Sequence, residues 1–175
     1  MKEFKINKND SGQRVDKFIP KTVPKLPKSL LYKYIRLKRI KVNKKRCEIS
    51  QVLAENDMVE MYINDEFFEI KKNTEFLTIN SSLNIIYEDE NILIVNKPAG
   101  TDVHRGSQNN KETLIDIIKS YLYQKNEYNP DEENSFSPAI CNRLDRNTTG
   151  LVIAAKNAQS LREINERIRS REIVK

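Results

Sequence analysis

Reactive residue types crowd together in Asn142-Arg143-Leu144-Asp145-Arg146-Asn147-Thr148-Thr149-Gly150. One aspartate stands between two arginines, followed by two hydroxyls and a glycine. A carboxylate in that setting can serve as nucleophile or base, because adjacent guanidinium groups favour its ionised form. The same arginines attract a phosphate-bearing partner. Gly150 lets the backbone bend, or approach a ligand closely, just before the apolar run Leu151-Val152-Ile153-Ala154-Ala155. Spacing alone leaves a second reading at equal weight: an exposed salt-bridge cluster that contributes little.

Other chemistries fit less well. A metal-dependent hydrolase built on Asp145 lacks a second carboxylate in the motif. His104 is the single histidine, and Cys47 and Cys141 lack metal-type spacing, so no zinc site or other cofactor is expected. Both cysteines read as reduced core residues. Thirty-one Lys and Arg against 25 Asp and Glu give a net charge of +6, compatible with a nucleic-acid partner without requiring one. Position says more than the sum. Lys33, Arg36, Lys38, Arg39, Lys41, Lys44, Lys45 and Arg46 are separated only by neutral residues. A solvated helix face explains any one of them; the whole run suggests a surface that neutralises several phosphates. No apolar stretch nears the roughly 18 residues of a membrane span, and the start lacks a signal-peptide core. The expected location is the cytoplasm, with no membrane partner.

These residues need elements to hold them. Phe4 to Asn9 alternates weakly, as a short edge strand would. From Arg14 the apolar spacing of Val15, Phe18 and Ile19 predicts a helix that Pro20 stops. Ser29 reads as the N-cap of a second helix, Leu30 to Leu37, with Leu30, Leu31, Tyr34 and Ile35 inward. Ile40–Val42, a turn at Asn43-Lys44, a return over Arg46 to Ile49 and a strand over Asp57 to Ile63 follow. Residues 64–82 lack periodicity and read as a linker on which Phe67-Phe68 and Phe76-Leu77 dock. Then come strands over Asn84–Tyr87 and Ile92–Val95, the latter ending at Lys97-Pro98-Ala99-Gly100. Thr113 is placed to cap a helix to Leu122, burying Leu114, Ile117, Ile118 and Tyr121. Gln124 to Ser137 reads as a mobile polar loop. A last helix, Ala158 to Ser170, turns Leu161, Ile164 and Ile168 inward. Ile92–Val95 and Leu151–Ala155 are apolar throughout and read as strands covered on both faces.

Arg143-Leu144-Asp145-Arg146-x-Thr148-Thr149-Gly150-Leu151 closely resembles the signature of RNA pseudouridine synthases of the branch that modifies large-subunit ribosomal RNA. Lys97-Pro98-x-Gly100 followed by His104 matches the same pattern. The resemblance implies that Asp145 is catalytic and that Arg143 and Thr149 bind the substrate, Arg143 bracing a flipped-out nucleotide. It implies an RNA substrate, ribosomal RNA foremost, no cofactor, and a monomer when complete. The commonest form of the signature begins with histidine where this chain has Asn142. Residues 12–63 resemble the alpha-L RNA-binding domain through Arg14-Val15-Asp16-Lys17-Phe18, Tyr34-Ile35-Arg36 and Ile40-Lys41-Val42-Asn43. The implied fold is α+β: this small module, a linker over 64–82, then over 83–175 the N-terminal half of a mixed, mainly antiparallel sheet domain. In the family Lys175 would open a further strand bearing a base-contacting tyrosine. The chain is therefore expected to be C-terminally truncated and inactive alone. The competing class is a non-catalytic protein that docks on ribosomal RNA through the alpha-L module.

Overall fold

The computed structural model describes residues 1–69, 74–79, 82–105 and 112–173. The fold is α+β with antiparallel sheets, divided into two compact units.

The first unit comprises Met1–Lys72 together with Asp131–Phe136. Its elements are β1 (Lys2–Lys5), α1 (Val15–Thr22), α2 (Lys28–Arg36), β2 (Ile40–Val42), β3 (Lys45–Arg46) and β4 (Met58–Met61). The strands form a sheet in the order β1-β4-β2-β3. Since β1 pairs with β4 from Lys2↔Met61 to Lys5↔Met58, this unit begins well before residue 12. The strand also starts earlier than the alternation suggested. Alternate strand residues Phe4, Ile40, Val42, Val59 and Met61 join Val15, Phe18, Ile19, Leu31 and Ile35 of the helices in one buried core.

Three local expectations change. Pro20 sits inside α1, which runs on to Thr22; the Thr22 hydroxyl donates to the carbonyls of Phe18 and Ile19 as the helix ends. Ser29 lies within the first turn of α2, whose N-cap is Pro27 with no side-chain cap. Strand β3 is two residues long. The β2–β3 turn is as read: Asn43 and Lys44 both have positive φ (52° and 64°), the backbone of a tight twisted hairpin. The Asn43 amide donates to Asp57 at 2.7 Å and its carbonyl accepts from the Met58 N–H at 2.8 Å. The Lys44 N–H donates to the Glu60 carboxylate at 2.9 Å.

Asp131–Phe136, read from composition as mobile, is instead bonded to the first unit. Asp10 is fully buried and accepts from Asn134 Nδ2 (2.7 Å) and from the N–H (3.2 Å) and hydroxyl (2.5 Å) of Ser135. Glu133 accepts from the amides of Asn7 and Asn9. Burying a carboxylate is costly unless several donors meet it, and this segment supplies them.

The second unit comprises Asn73–Pro130 and Ser137–Lys175. It contains β5 (Ile85–Glu88), β6 (Ile92–Lys97), α3 (Leu114–Gln124), β7 (Ala139–Ile140), β8 (Gly150–Ala155) and α4 (Ala158–Arg169). The sheet order is β5-β6-β8-β7. Leu93, Val95, Val152 and Ala154 point to one face, where Leu114, Ile118 and Leu122 of α3 cover them with Phe76 and Ile79. Residues 64–82 are thus divided: Phe67 and Phe68 pack on the first core and Phe76 is buried in the second, while Leu77 stays exposed. On α3, Leu114 and Ile118 are buried as expected, while Ile117 and Tyr121 are only partly so. The other sheet face is less covered than an all-apolar strand suggests, since Leu151 is 54 % exposed and Ile92, Ile94 and Ile153 are half-buried. Helix α4 starts at a side-chain cap, Asn157, which accepts from the Ser160 N–H at 2.9 Å. Its stripe of Leu161, Ile164 and Ile168 is half-buried. The expected role of Lys175 lies outside the described residues.

Candidate active site

Strands β6 and β8 pair antiparallel with Lys97 opposite Gly150, which brings the loop after β6 beside the loop before β8. That pairing assembles the site. Gly100 donates its N–H to the Arg146 carbonyl at 2.9 Å, and Arg146 Nε donates back to the Gly100 carbonyl at 3.3 Å. The Lys97 side chain is fully buried beneath both loops, and its ammonium donates to the carbonyls of Pro98 (3.0 Å) and Arg146 (2.9 Å). Burial pushes the Lys97 ammonium below the usual lysine range, while the nearby carboxylates of Asp102 and Asp145 oppose that shift. A cation so placed ties the loop after β6 to the backbone next to Asp145 and lies near its charge.

Asp145 opens a tight turn closed by the Thr148 N–H on its own carbonyl at 3.1 Å. Its side chain is exposed and accepts no hydrogen bond among the described residues. Neither flanking arginine pairs with it: Arg146 is spent on Gly100, and Arg143 is exposed at a groove. The salt-bridge explanation of the motif therefore fails, and the carboxylate is left open to an incoming molecule.

Arg143 and Leu144 line that groove with Ile94, Leu151, Ile153 and Ile168, enclosing about 420 Å³ of largely apolar space. Leu144 also packs into the core of this unit. Gly150 has a φ of +145°, and an added Cβ there would meet the Leu144 side chain at 3.3 Å. The backbone conformation calls for glycine, and a side chain there would also crowd Leu144. Thr149 is exposed beside it.

Asn142 has a role that spacing did not reveal. Its amide donates to the Leu151 carbonyl at 3.0 Å and its oxygen accepts from the Ile153 N–H at 2.8 Å. It continues, with a side chain, the ladder that Cys141 ends with its own N–H on Ile153. The carboxamide imitates a peptide unit, so the first motif position here registers the loop against β8. Cys141 is half-buried rather than in the core, and burial raises its thiol to about 11.

The loop after Gly100 is held by α3. The first N–H groups of that helix, on Leu114 and Ile115, donate to the carbonyls of Asp102 and Val103. Thr113 occupies the N-cap position, but its hydroxyl donates to Asp116 at 2.8 Å instead of accepting from the backbone. Arg105 completes the anchor on Asp116 (3.2 Å) and on Glu75. His104 therefore stands beside the motif. Partial burial and the charges of Arg143 and Lys119 hold its ring below the usual histidine range.

Asp145, Arg143 and Thr149 thus share one loop of the second unit. The eight basic residues lie in the first unit. Lys33 and Arg36 share the outer face of α2 and line a trough with Arg46. Arg39 lies over the Tyr34 ring and Lys41 over the Tyr62 ring, at 5.6 and 5.1 Å. Lys38, Lys44 and Lys45 are exposed in the turns and in β3. The burial of Lys97 is not legible in the sequence, where a lysine at a strand end reads as a solvated charge.

Residues 91–175 match the family described as RNA pseudouridylate synthase. These residues belong to that family. An RNA pseudouridine synthase of Mycoplasma capricolum, itself named as uncharacterized, is 45 % identical over 90 % of this chain and 51 % of its own length. The ribosomal large subunit pseudouridine synthase C of Buchnera aphidicola subsp. Baizongia pistaciae is 35 % identical over 97 % of the chain and 51 % of its own. The chain spans about half the length of these curated relatives. Among solved structures, human RNA pseudouridylate synthase domain containing 4 aligns over 51 % of this chain and 30 % of its own, at 24 % identity and a TM-score of 0.39.

Proposed function

We propose that the second unit carries the reactive centre of a uridine-to-pseudouridine isomerisation in RNA, with large-subunit ribosomal RNA as the substrate class. The observation that carries this is the Asp145 carboxylate, exposed and unbonded on a loop pinned from below by a buried lysine. Isomerisation breaks the bond between the sugar and the base nitrogen, turns the base, and rejoins it through carbon. As nucleophile, Asp145 bonds to the ribose C1′ as the C1′–N1 bond breaks and is displaced when C5 of the turned base joins C1′. As general base, it takes a ribose proton as the nucleobase departs and returns it as C5 adds. In either route C5 loses its proton while N1 gains one. The target base must leave its stack, which costs a few kcal/mol. Arg143, at the mouth of an apolar groove, fills the vacated space or braces the extruded nucleotide, and Thr149 offers a hydroxyl to it.

The first unit is assigned as the RNA-binding module, of alpha-L type, and the protein as a cytoplasmic one. Among the described residues no helix is long and apolar enough to cross a membrane. Exposed cations on α2 and the β2–β3 hairpin support RNA as the partner of this unit. That same surface favours the alternative of a binding protein without catalysis, so the test must separate the two. In the intact protein, Asp145→Asn keeps the shape of the side chain and removes its charge. Pseudouridine formation on ribosomal RNA is expected to fall by more than about a thousandfold, with RNA affinity retained. Undiminished turnover would remove Asp145 from the chemistry; absence of turnover in the unsubstituted protein would favour the binding reading.

A further inference from the structure

Helix α2 presents Ser29, Tyr32, Lys33 and Arg36 on one side, at the spacing that places residues in a row along a helix. Opposite this row runs the segment Arg46 to Ser50, and between them lies a trough of about 600 Å³. Its lining is divided by chemistry. Ile35 and Cys47 are buried and apolar, while Tyr32 and Ile49 are large apolar side chains left 40 % and 38 % exposed. Lys33, Arg36 and Arg46 bring three positive charges, none of them ion-paired among the described residues. Glu48 is the one acid in the lining.

A simple phosphate-binding surface has no use for an exposed tyrosine or a carboxylate. A flat, partly apolar group with hydrogen-bond donors on its edge, joined to a phosphate, uses all of them. We infer that this trough is a binding site for a single unpaired ribonucleotide of an RNA strand. The base lies against Tyr32 over the apolar floor, the flanking phosphates meet Lys33, Arg36 and Arg46, and Glu48 accepts from a donor on the base edge. A base in a duplex cannot enter, because its face is covered by its neighbours. The site therefore gives the first unit a preference for looped or single-stranded RNA over paired RNA. Stacking accepts any base, so Tyr32 sets the need for a free base rather than a sequence. This inference rests on the reading of the first unit as an RNA-binding module and adds to it a substrate feature and a residue, Tyr32.

The test uses the full chain, a fluorescent unstructured oligoribonucleotide, and an abasic copy with the same phosphates, compared by anisotropy. The unsubstituted protein is expected to bind the base-bearing strand roughly tenfold more tightly than the abasic one. In Tyr32→Ala that ratio should fall to unity, and in Tyr32→Phe, which keeps the ring, it should return. Equal binding of both strands by the unsubstituted protein, or an unchanged ratio in Tyr32→Ala, would overturn the nucleotide site. A combined Lys33→Ala, Arg36→Ala and Arg46→Ala variant serves as the second arm. If it weakens both strands and flattens the salt dependence while the ratio never depended on Tyr32, the module binds RNA but has no base site. If it leaves affinity and salt dependence unchanged, the RNA-binding reading of the module falls, and the site with it.

Discussion

Lys97 makes its two hydrogen bonds to carbonyls on different loops, so removing it acts on both at once. In Lys97→Met the side chain keeps much of its length, but the carbonyls of Pro98 and Arg146 lose their donor. Unmade bonds of this kind cost about 1–3 kcal/mol. The thermal midpoint of Lys97→Met should fall, and activity in the intact protein should fall further than the midpoint explains, because Asp145 loses the cation beneath it. Equal midpoints in a melting experiment would show that the loops hold each other without the lysine. Much of the reactive loop was legible in the chain, because aspartate, arginines and glycine are packed into nine consecutive positions. What supports it was not. A lysine at a strand end reads as a solvated charge, and only the pairing of Lys97 with Gly150 turns it inward. The arginines misled in the other direction, since adjacency in sequence places successive side chains apart in an extended loop.

The β2–β3 hairpin shows how an element can carry strain where it carries charge. Lys44 has a φ of +64°, a conformation that costs a residue with a Cβ about 1–2 kcal/mol. Its N–H and the two bonds of Asn43 hold the turn regardless. Lys44→Gly relieves the strain and deletes a cation, so the thermal midpoint should rise while RNA affinity and its salt dependence decrease. A lower midpoint would mean that the lysine side chain itself supports the turn. Turn chemistry and strand positions were readable because asparagine and alternating apolar residues act locally. Helix ends were less so. Pro20 was read as a stop, yet α1 continues for two residues because Thr22 takes up the carbonyls of Phe18 and Ile19. The apolar strands of the second unit read as buried on both faces, but composition does not say how much of a partner α4 offers its sheet.

Across whole units, charge networks tie distant segments together. Glu88 at the end of β5 accepts from Lys125, Tyr121 and Lys156, and Lys156 also reaches Glu127. Partial burial raises the Glu88 carboxyl, but those three donors outweigh it and bring the group down from 4.5 to about 2. Because the folded value is depressed, the stabilisation is fully present above 4.5 and is lost as pH falls toward about 2. Melting curves taken from neutrality down through that window should show Glu88→Gln less stable than the unsubstituted chain near neutrality, with the difference vanishing at the acid end. A constant difference would assign the effect to packing instead. The other long-range tie sets an order of events. Asp10 and Ser135 are 125 residues apart, so at roughly 5–20 residues per second a ribosome makes them on the order of ten seconds apart. For that interval the acid has water where Asn134 and Ser135 will later stand, and the earliest part of the chain receives some of its last bonds from one of the later parts to be made.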